Sequence, residues 1–284
     1  MALVGHHMTL QLPSELPVSN ALILLHRSNG DAMQICLGEM TNPSDILKIG
    51  SNDSKKVLKI RKKYGKYVIV HGKYIYNFCH INKVTYQQAL FNELEQSNKI
   101  NADVVIHQGK NVNKYEPAKA RQVYADNIRM VITKMQAASL TNRIILENSS
   151  HQGTEIGYTL TELHQIWELF TPEERQYLGF CIDTCHIFVA GELDVRQPMD
   201  VAEWFKRFDR LIGKEHLKVV HLNDSSPDFN ARNDHHAGLG KGHIGLVGLK
   251  SVVDICVKWS VPMIAETPSQ SMEEEIVIVQ DWLC

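Results

Sequence analysis

The chain has 284 residues, enough for two modest domains or for one α/β barrel, which typically needs about 250 residues. Its 30 basic and 32 acidic residues leave a formal charge of -2, with a pI near 6.7, so a globally basic nucleic-acid binder is excluded and any nucleic-acid surface must be local. Six scattered cysteines without a Cys-x-x-Cys spacing, no secretory pattern in Met1–Leu10, and no apolar run near the roughly 18 residues of a membrane span give an expectation of a soluble cytoplasmic or nuclear protein with no membrane partner.

In chain order, apolar runs of four to six residues alternate with longer stretches of helical period, the pattern of repeated βα units around a parallel sheet. Strands are expected near Ala2–Met8, Ala32–Leu37, Tyr67–Val70, Asp103–Ile106, Arg143–Leu146, Gly179–Ile182, Lys218–Val220 and Pro262–Ala265. Helices are expected at Asp45–Tyr64, Ala118–Ala138, Leu160–Phe170, Val201–Ile212, Val247–Trp259 and Met272–Leu283. Start signals are Thr161-Glu162, the cap-then-proline Thr171-Pro172-Glu173, and Ser269–Ser271 before the last helix. Nothing marks a domain boundary, so residues 1–284 are read as a single α/β domain, a TIM (β/α)8 barrel with its site at the C-terminal ends of the strands. One long polar loop, Asn223 to Gly245, carries Asp234-His235-His236 and reads as functional.

Nine metal-ligand side chains stand at the ends of seven apolar runs or in the polar segments just after them: His71, His107, Glu147, Asp183, His186, His221, Asp234, His236 and Glu266. A buried carboxylate needs a partner, because an unpaired buried charge is strongly disfavoured. One histidine after three apolar residues is an ordinary core residue, and an Asp such as Asp183 is an ordinary helix cap. The repetition at strand ends that meet in a closed ring points instead to bound divalent ions. On an extended segment Asp234 and His236 project the same way, with His235 turned elsewhere. Imidazole and carboxylate without thiolate fit zinc, with manganese or iron as substitutes. Nine ligands are too many for one tetrahedral centre, so two or three ions are implied. Three Zn²⁺ against four carboxylates leave a positive centre that attracts phosphate.

These residues resemble the endonuclease IV family of apurinic/apyrimidinic endonucleases from about Gly5 to Trp282. The matching elements are Cys181-Ile182-Asp183-Thr184-Cys185-His186 with Ala190-Gly191, His221-Leu222-Asn223-Asp224-Ser225, Asp234-His235-His236 with Gly240-Lys241-Gly242-His243-Ile244-Gly245, and Ala265-Glu266-Thr267-Pro268. The resemblance implies a three-zinc barrel acting on double-stranded DNA that contains abasic sites. One zinc would be held by His71, His107 and Glu147, a second by Glu147, Asp183, His221 and Glu266, and a third by His186, Asp234 and His236. Incision 5′ to the abasic sugar would leave a 3′-hydroxyl and a 5′-deoxyribose phosphate, with Glu147 and Glu266 as catalytic carboxylates and Glu266 orienting or deprotonating the attacking water. Tyr74 matches the family's intercalating tyrosine. Three departures stand out: Gly38-Glu39-Met40-Thr41-Asn42-Pro43 lacks the usual loop arginine, the stretch after Glu147-Asn148 loses the usual small-residue pattern, and Lys241 occupies a commonly acidic position.

Lys73, Lys110 and Lys114 follow strand ends and are expected to contact phosphates, while the eight cations between Lys48 and Lys66 read as the solvated face of an outer helix. A monomer is expected. Two rival readings are a two-metal sugar isomerase or epimerase on the same barrel and a non-catalytic, metal-bearing DNA-binding protein. A nuclease directed at UV photoproducts is a closer third.

Overall fold

A computed structural model describes residues 3–80, 84–268 and 271–283. Eight parallel strands close into a barrel: β1 (Val4–His7), β2 (Ala32–Cys36), β3 (Tyr67–His71), β4 (Asp103–His107), β5 (Ile144–Glu147), β6 (Leu178–Asp183), β7 (Leu217–His221) and β10 (Met263–Ala265), with β10 pairing both β7 and β1. The two remaining strands, β8 (Asp224–Ser225) and β9 (His236–Ala237), form an antiparallel ribbon that ties down the long polar loop. Around the barrel run α1 (Pro17–Arg27), α2 (Ser51–Tyr64), α3 (Val84–Asn98), α4 (Pro117–Ala137), α5 (Leu160–Trp167), α6 (Pro172–Arg175), α7 (Thr184–Val189), α8 (Pro198–Leu211), α9 (Gly245–Trp259) and α10 (Met272–Leu283). All eight expected barrel strands are present, and none of the described helices is long and apolar enough to cross a membrane.

Side chains alternate across each strand, so the barrel has two separate apolar layers. Met33, Ile35, Val68, Val70, Val104 and Ile106 face the helices, whereas Ala32, Ile69, Val105, Ile145, Cys181, Val219 and Ile264, one from each of seven strands, pack on one another inside the ring. On β1 the corresponding place is Gly5, paired in register with Ala32; a Cβ there would meet the Ala32 carbonyl, so only glycine admits the close approach of the two strands.

Two steps farther along every strand comes the next inward position. Those residues are His7, Gln34, His71, His107, Glu147, Asp183, His221 and, just past β10, Glu266. Each apolar floor residue therefore has a polar residue directly above it, and the barrel's own period puts eight polar side chains in one ring at the C-terminal mouth.

Several boundaries differ from expectation for identifiable reasons. Helix α2 begins at Ser51 rather than Asp45, because the Asp45 carboxylate accepts from the Glu39 amide at 2.7 Å and its carbonyl accepts from Lys73 Nζ at 2.7 Å. The cap of α5 is Thr159, which accepts from Glu162 N at 3.1 Å, two residues before the expected start. Thr171 forms a reciprocal capping box with Glu174. Ser269, in the signal expected before α10, lies outside the described residues, as does Ala2 of the first strand. In the basic stretch, Asp53 is buried and caps α1 by accepting from Val18 N and Ser19 N at 3.0 and 2.9 Å, while Arg61 donates to the Asn101 carbonyl at 2.6 Å and Lys66 to Asp31 at 2.6 Å. Those two cations hold loops at the far end of the barrel from the mouth, and the lysines of α2 lie along its outer wall.

Candidate metal centre

All nine ligand-type residues named from the sequence converge on the mouth. Their donor atoms fall into overlapping groups lying within 4.8 Å of one another: His71, His107 and Glu147; Glu147, Asp183, His221 and Glu266; Asp183, His186 and His236; and Cys185, Asp234 and His236. A fifth group joins Glu147 with Cys181 and His221, so Glu147 belongs to three groups, Asp183 to two and His236 to two, and the clusters form a continuous patch. A cavity of about 500 Å³ opens over it, lined among others by His71, Tyr74, His107, Lys110, Asp234 and Glu266.

Three of the rings are aimed by their second nitrogen. His71 Nδ1 lies 2.7 Å from the Gly72 carbonyl and His186 Nδ1 lies 2.9 Å from the Asn148 carbonyl, so both donate there and turn Nε2 into the mouth. His221 is reversed: Nε2 lies 2.8 Å from Gln34 Oε1, and Nδ1 faces Glu147 Oε1 at 2.8 Å and Glu266 Oε2 at 3.1 Å. The carboxylates are braced as well. Asn223 donates to Asp183 Oδ2 at 2.6 Å and to Glu266 Oε2 at 3.1 Å, while its own carbonyl accepts from the Glu266 amide at 2.8 Å. Asp183 also caps α7, accepting from His186 N at 2.9 Å, so the helix-cap reading and the ligand reading fall on one residue.

Charge alternates across the patch. Burial alone would raise the pKa of Glu147, yet the imidazoles of His221 and His107 hold its carboxyl well below the usual range; Glu266 is held down in the same sense, against burial, first by His221. For His71 and His186 burial would lower the ring pKa, but Glu147 in the first case and Asp183 with Asp234 in the second push it up. His236, 3.2 Å from Asp234, is raised to about 9 despite its burial, by Asp183 before Asp234. His107 is lowered to about 4 by burial.

The donor set fits divalent ions on a further ground. Glu147 Oε2, His186 Nε2 and His236 Nε2 are buried without a well-directed hydrogen bond, although His186 Nε2 and His236 Nε2 lie 3.0 and 3.2 Å from the Asp234 carboxylate, and all three belong to the patch. Buried polar atoms are normally satisfied, and orphans of this kind, converging from three different elements, are what ligand atoms look like with the ion left out of account. His235 is exposed between Asp234 and His236, as the extended-segment argument requires.

The loop carrying Asp234 and His236 is fixed by Asp224. This buried carboxylate accepts from the backbone amides of Ser225, Gly240, Gly242 and Ile244 at 2.8 to 3.1 Å. Gly242 has to be glycine, since a Cβ would lie 2.3 Å from the Ser225 carbonyl oxygen. Thr267, next to Glu266, is braced by the buried His6 of β1 and Glu275 of α10: His6 Nε2 is 3.0 Å from Thr267 Oγ1 and 3.2 Å from Glu275 Oε2.

The expected DNA contacts divide. Tyr74 is 61% exposed at the rim, edge-on to His71 and His107 with ring centroids 5.3 and 5.5 Å apart. Lys110 is half-exposed, 3.5 Å from Glu155, and Lys114 is exposed. Lys73 does not face the mouth. It is 2% exposed, and its ammonium donates to the carbonyls of Glu39 at 2.8 Å and Asp45 at 2.7 Å, so its charge holds the β2–α2 connection together. Following a strand end fixes a residue's height in the barrel, not the direction in which it turns. Two ring members, His7 and Gln34, are not among the residues that the sequence singles out as ligands. Counting by twos from Ala32 finds Gln34.

A family model described as a xylose isomerase-like TIM barrel matches residues 24–284. The chain is 33% identical over 222 residues to the "Putative endonuclease 4" of Acanthamoeba polyphaga mimivirus, spanning 75% of this chain and 70% of that protein. It is 35% identical over 213 residues to the "Probable endonuclease 4" of Chloroflexus aurantiacus, spanning 73% of each. The crystal structure of endonuclease IV from Thermus thermophilus shares the fold with a TM-score of 0.82, covering 99% of this chain and 98% of that one at 24% identity.

Proposed function

This chain belongs to the endonuclease IV family of nucleases, and from that premise we propose that it is a zinc-dependent DNA-repair endonuclease hydrolysing the phosphodiester 5′ to abasic sites in double-stranded DNA. The products would be a 3′-hydroxyl and a 5′-deoxyribose phosphate. The observation that carries this reading is the overlap of the ligand groups at Glu147 and Asp183, which lets one barrel mouth hold several ions side by side. His71, His107 and Glu147 would hold one zinc, Glu147, Asp183, His221 and Glu266 a second, and His186, Asp234 and His236 the third, with manganese or iron as substitutes in the same nitrogen and oxygen set. Asp183, in reach of His186 and His236, is a further donor toward the third position. Every ligand comes from one chain, so the proposed centre needs no second copy to complete it, and a monomeric enzyme is proposed.

Bound zinc would supply Lewis acidity toward the phosphoryl oxygens and lower the pKa of water to near neutrality. The protein supplies orientation. Glu266, mostly buried and braced by Gln34 and Asn223, is the carboxylate best held to orient the attacking water and take its proton. Glu147 reaches four of the imidazoles, His71, His107, His186 and His221, and keeps that side of the mouth aligned. Tyr74, standing exposed over the cavity, offers a ring face where a base is missing, since an aromatic side chain can replace a lost stack. Lys110 and Lys114 flank the rim for phosphate contact, which positions DNA without reading its sequence. Five imidazoles among nine ligands disfavour the isomerase alternative, whose sites are mostly carboxylate.

The test is incision of a duplex with one abasic site, with the metal content measured in parallel. Incision that yields a polymerase-extendable 3′ end, disappears on chelation and returns with zinc supports the reading. Turnover of free ketoses without DNA incision overturns it, as does full metal content with no incision of abasic or photoproduct duplexes.

A further inference from the structure

Of the eight inward residues at the barrel mouth, six fall in the ligand groups and two, His7 and Gln34, do not. These two occupy the adjacent strands β1 and β2, paired Cα to Cα, between Glu266 on one side and His71 on the other. Gln34 is fully buried. Its amide makes three contacts: Oε1 to His221 Nε2 at 2.8 Å, Nε2 to Glu266 Oε1 at 2.5 Å, and Nε2 to His7 Nδ1 at 3.2 Å.

These contacts admit one assignment of protons. With the amide reversed, its carbonyl oxygen would face the Glu266 carboxylate at 2.5 Å, two acceptors in contact. The amide nitrogen therefore donates one proton to Glu266 and the other to His7 Nδ1, and the carbonyl accepts from His221 Nε2–H. His7 then carries its proton on Nε2, which faces Cys36 Sγ at 3.8 Å. The direction runs unbroken from His221 through Gln34 and His7 to Cys36.

We propose that Gln34 is a positioning residue that fixes the His221 tautomer, leaving Nδ1 free as the ligand atom, and at the same time holds the Glu266 carboxylate in place, with His7 locking the amide orientation. A single amide thus aligns a nitrogen and an oxygen ligand from neighbouring strands β7 and β10. This rests on the reading of His221 and Glu266 as zinc ligands. Partners that hold the far nitrogen of a ligating imidazole usually change metal affinity by roughly 10- to 100-fold when removed.

The test uses Gln34→Met, close in shape but without the amide donor and acceptor, and His7→Phe, which removes the acceptor of the second amide proton together with the long contact to Cys36. Three measurements are made on the full chain: zinc affinity by chelator competition, the ring N–H signal of His221 in a ¹⁵N-resolved proton spectrum of the zinc-loaded protein, and kcat and KM on abasic duplex. The expected result for Gln34→Met is zinc binding weakened about 10- to 100-fold, a His221 Nε2–H signal shifted and exchanging faster with solvent, and kcat falling more than KM rises. For His7→Phe the same changes are expected in the same direction but smaller. Unchanged zinc affinity and an unmoved His221 signal in a folded Gln34→Met protein would overturn the proposal. If Gln34→Met does not fold, unchanged values in His7→Phe overturn it. A wild-type protein that takes up no zinc would instead overturn the ligand reading beneath it.

Discussion

Glu266 Oε2 lies 3.1 Å from His221 Nδ1, so a carboxylate and an imidazole from neighbouring strands address the same point in the mouth. Both are fixed from behind, Glu266 by Gln34 and Asn223 and His221 by Gln34. Glu266→Gln keeps an acceptor oxygen for one of the two amide donors, Gln34 or Asn223, sets its own NH2 against the other, and removes the charge that would orient water and accept its proton. Incision of abasic duplex is expected to fall by about 10³-fold or more, in the range for a lost general base, while the thermal midpoint stays within a few degrees and most DNA binding survives. Incision rates beside a binding titration check this, and near-normal turnover would contradict the assignment.

Tyr74 makes its ring contacts with His71 and His107 through edge-on geometry and otherwise stands open over the cavity. Its Nδ1-anchored neighbour His71 does not depend on it for orientation. Tyr74→Ala is therefore expected to leave the metal content intact and weaken binding to abasic duplex by about 1 to 3 kcal/mol, the scale of one base–aromatic stack. Undamaged duplex should be affected less. Equal affinity of wild type and variant for the abasic duplex would remove the stacking role.

The strand ends are readable because the barrel imposes a single rule on every strand: apolar floor, then one inward polar position two residues on. Where the run ends at that position, as in Val68-Ile69-Val70-His71, the ligand is visible. Gln34 escapes because it lies inside Ala32-Met33-Gln34-Ile35-Cys36-Leu37, where outward-facing Ile35 prolongs the apolar run past it. Helix α3 gives little periodic signal because its packed face includes polar residues, Gln87, Glu93 and Ser97. The partners of the first two, Asn127 for Gln87 and Tyr76 for Glu93, come from other segments. The cap of α1 is likewise invisible locally, since Asp53 supplies it from 35 residues away.

Lys73 and Lys110 follow adjacent strand ends yet should respond oppositely to substitution. Lys73→Met leaves the carbonyls of Glu39 and Asp45 without their buried donor and is expected to cost about 3 kcal/mol of stability, judged from charge-assisted hydrogen bonds. The salt dependence of its DNA binding should match wild type. Lys114→Ala should leave stability unchanged and reduce the slope of log affinity against log salt by about one. Lys110→Ala should reduce it less, because Glu155 at 3.5 Å already offsets part of that charge. Denaturant melts together with binding at several salt concentrations separate the two classes, and an altered salt slope in Lys73→Met would return that lysine to the DNA surface.

Glu93 supports the wall of the cavity from beneath: its Oε2 accepts from the hydroxyl of Tyr76, which lines the cavity, at 2.7 Å, while Oε1 is buried without a partner. Burial raises its pKa to about 7, against an ordinary 4.5. Between those two values the folded protein binds a proton that the unfolded chain has released. The contribution is therefore fully present below pH 4.5 and is lost as pH rises through 7. The shift corresponds to about 3 kcal/mol at its full extent. Glu93→Gln keeps an acceptor for Tyr76 and has nothing to ionise, so it should be more stable than wild type at about pH 8 and lose the advantage near about pH 5. Urea melts of both proteins across that range provide the check. A constant difference between them would mean that Glu93 is charged throughout and that its unpartnered oxygen reaches water.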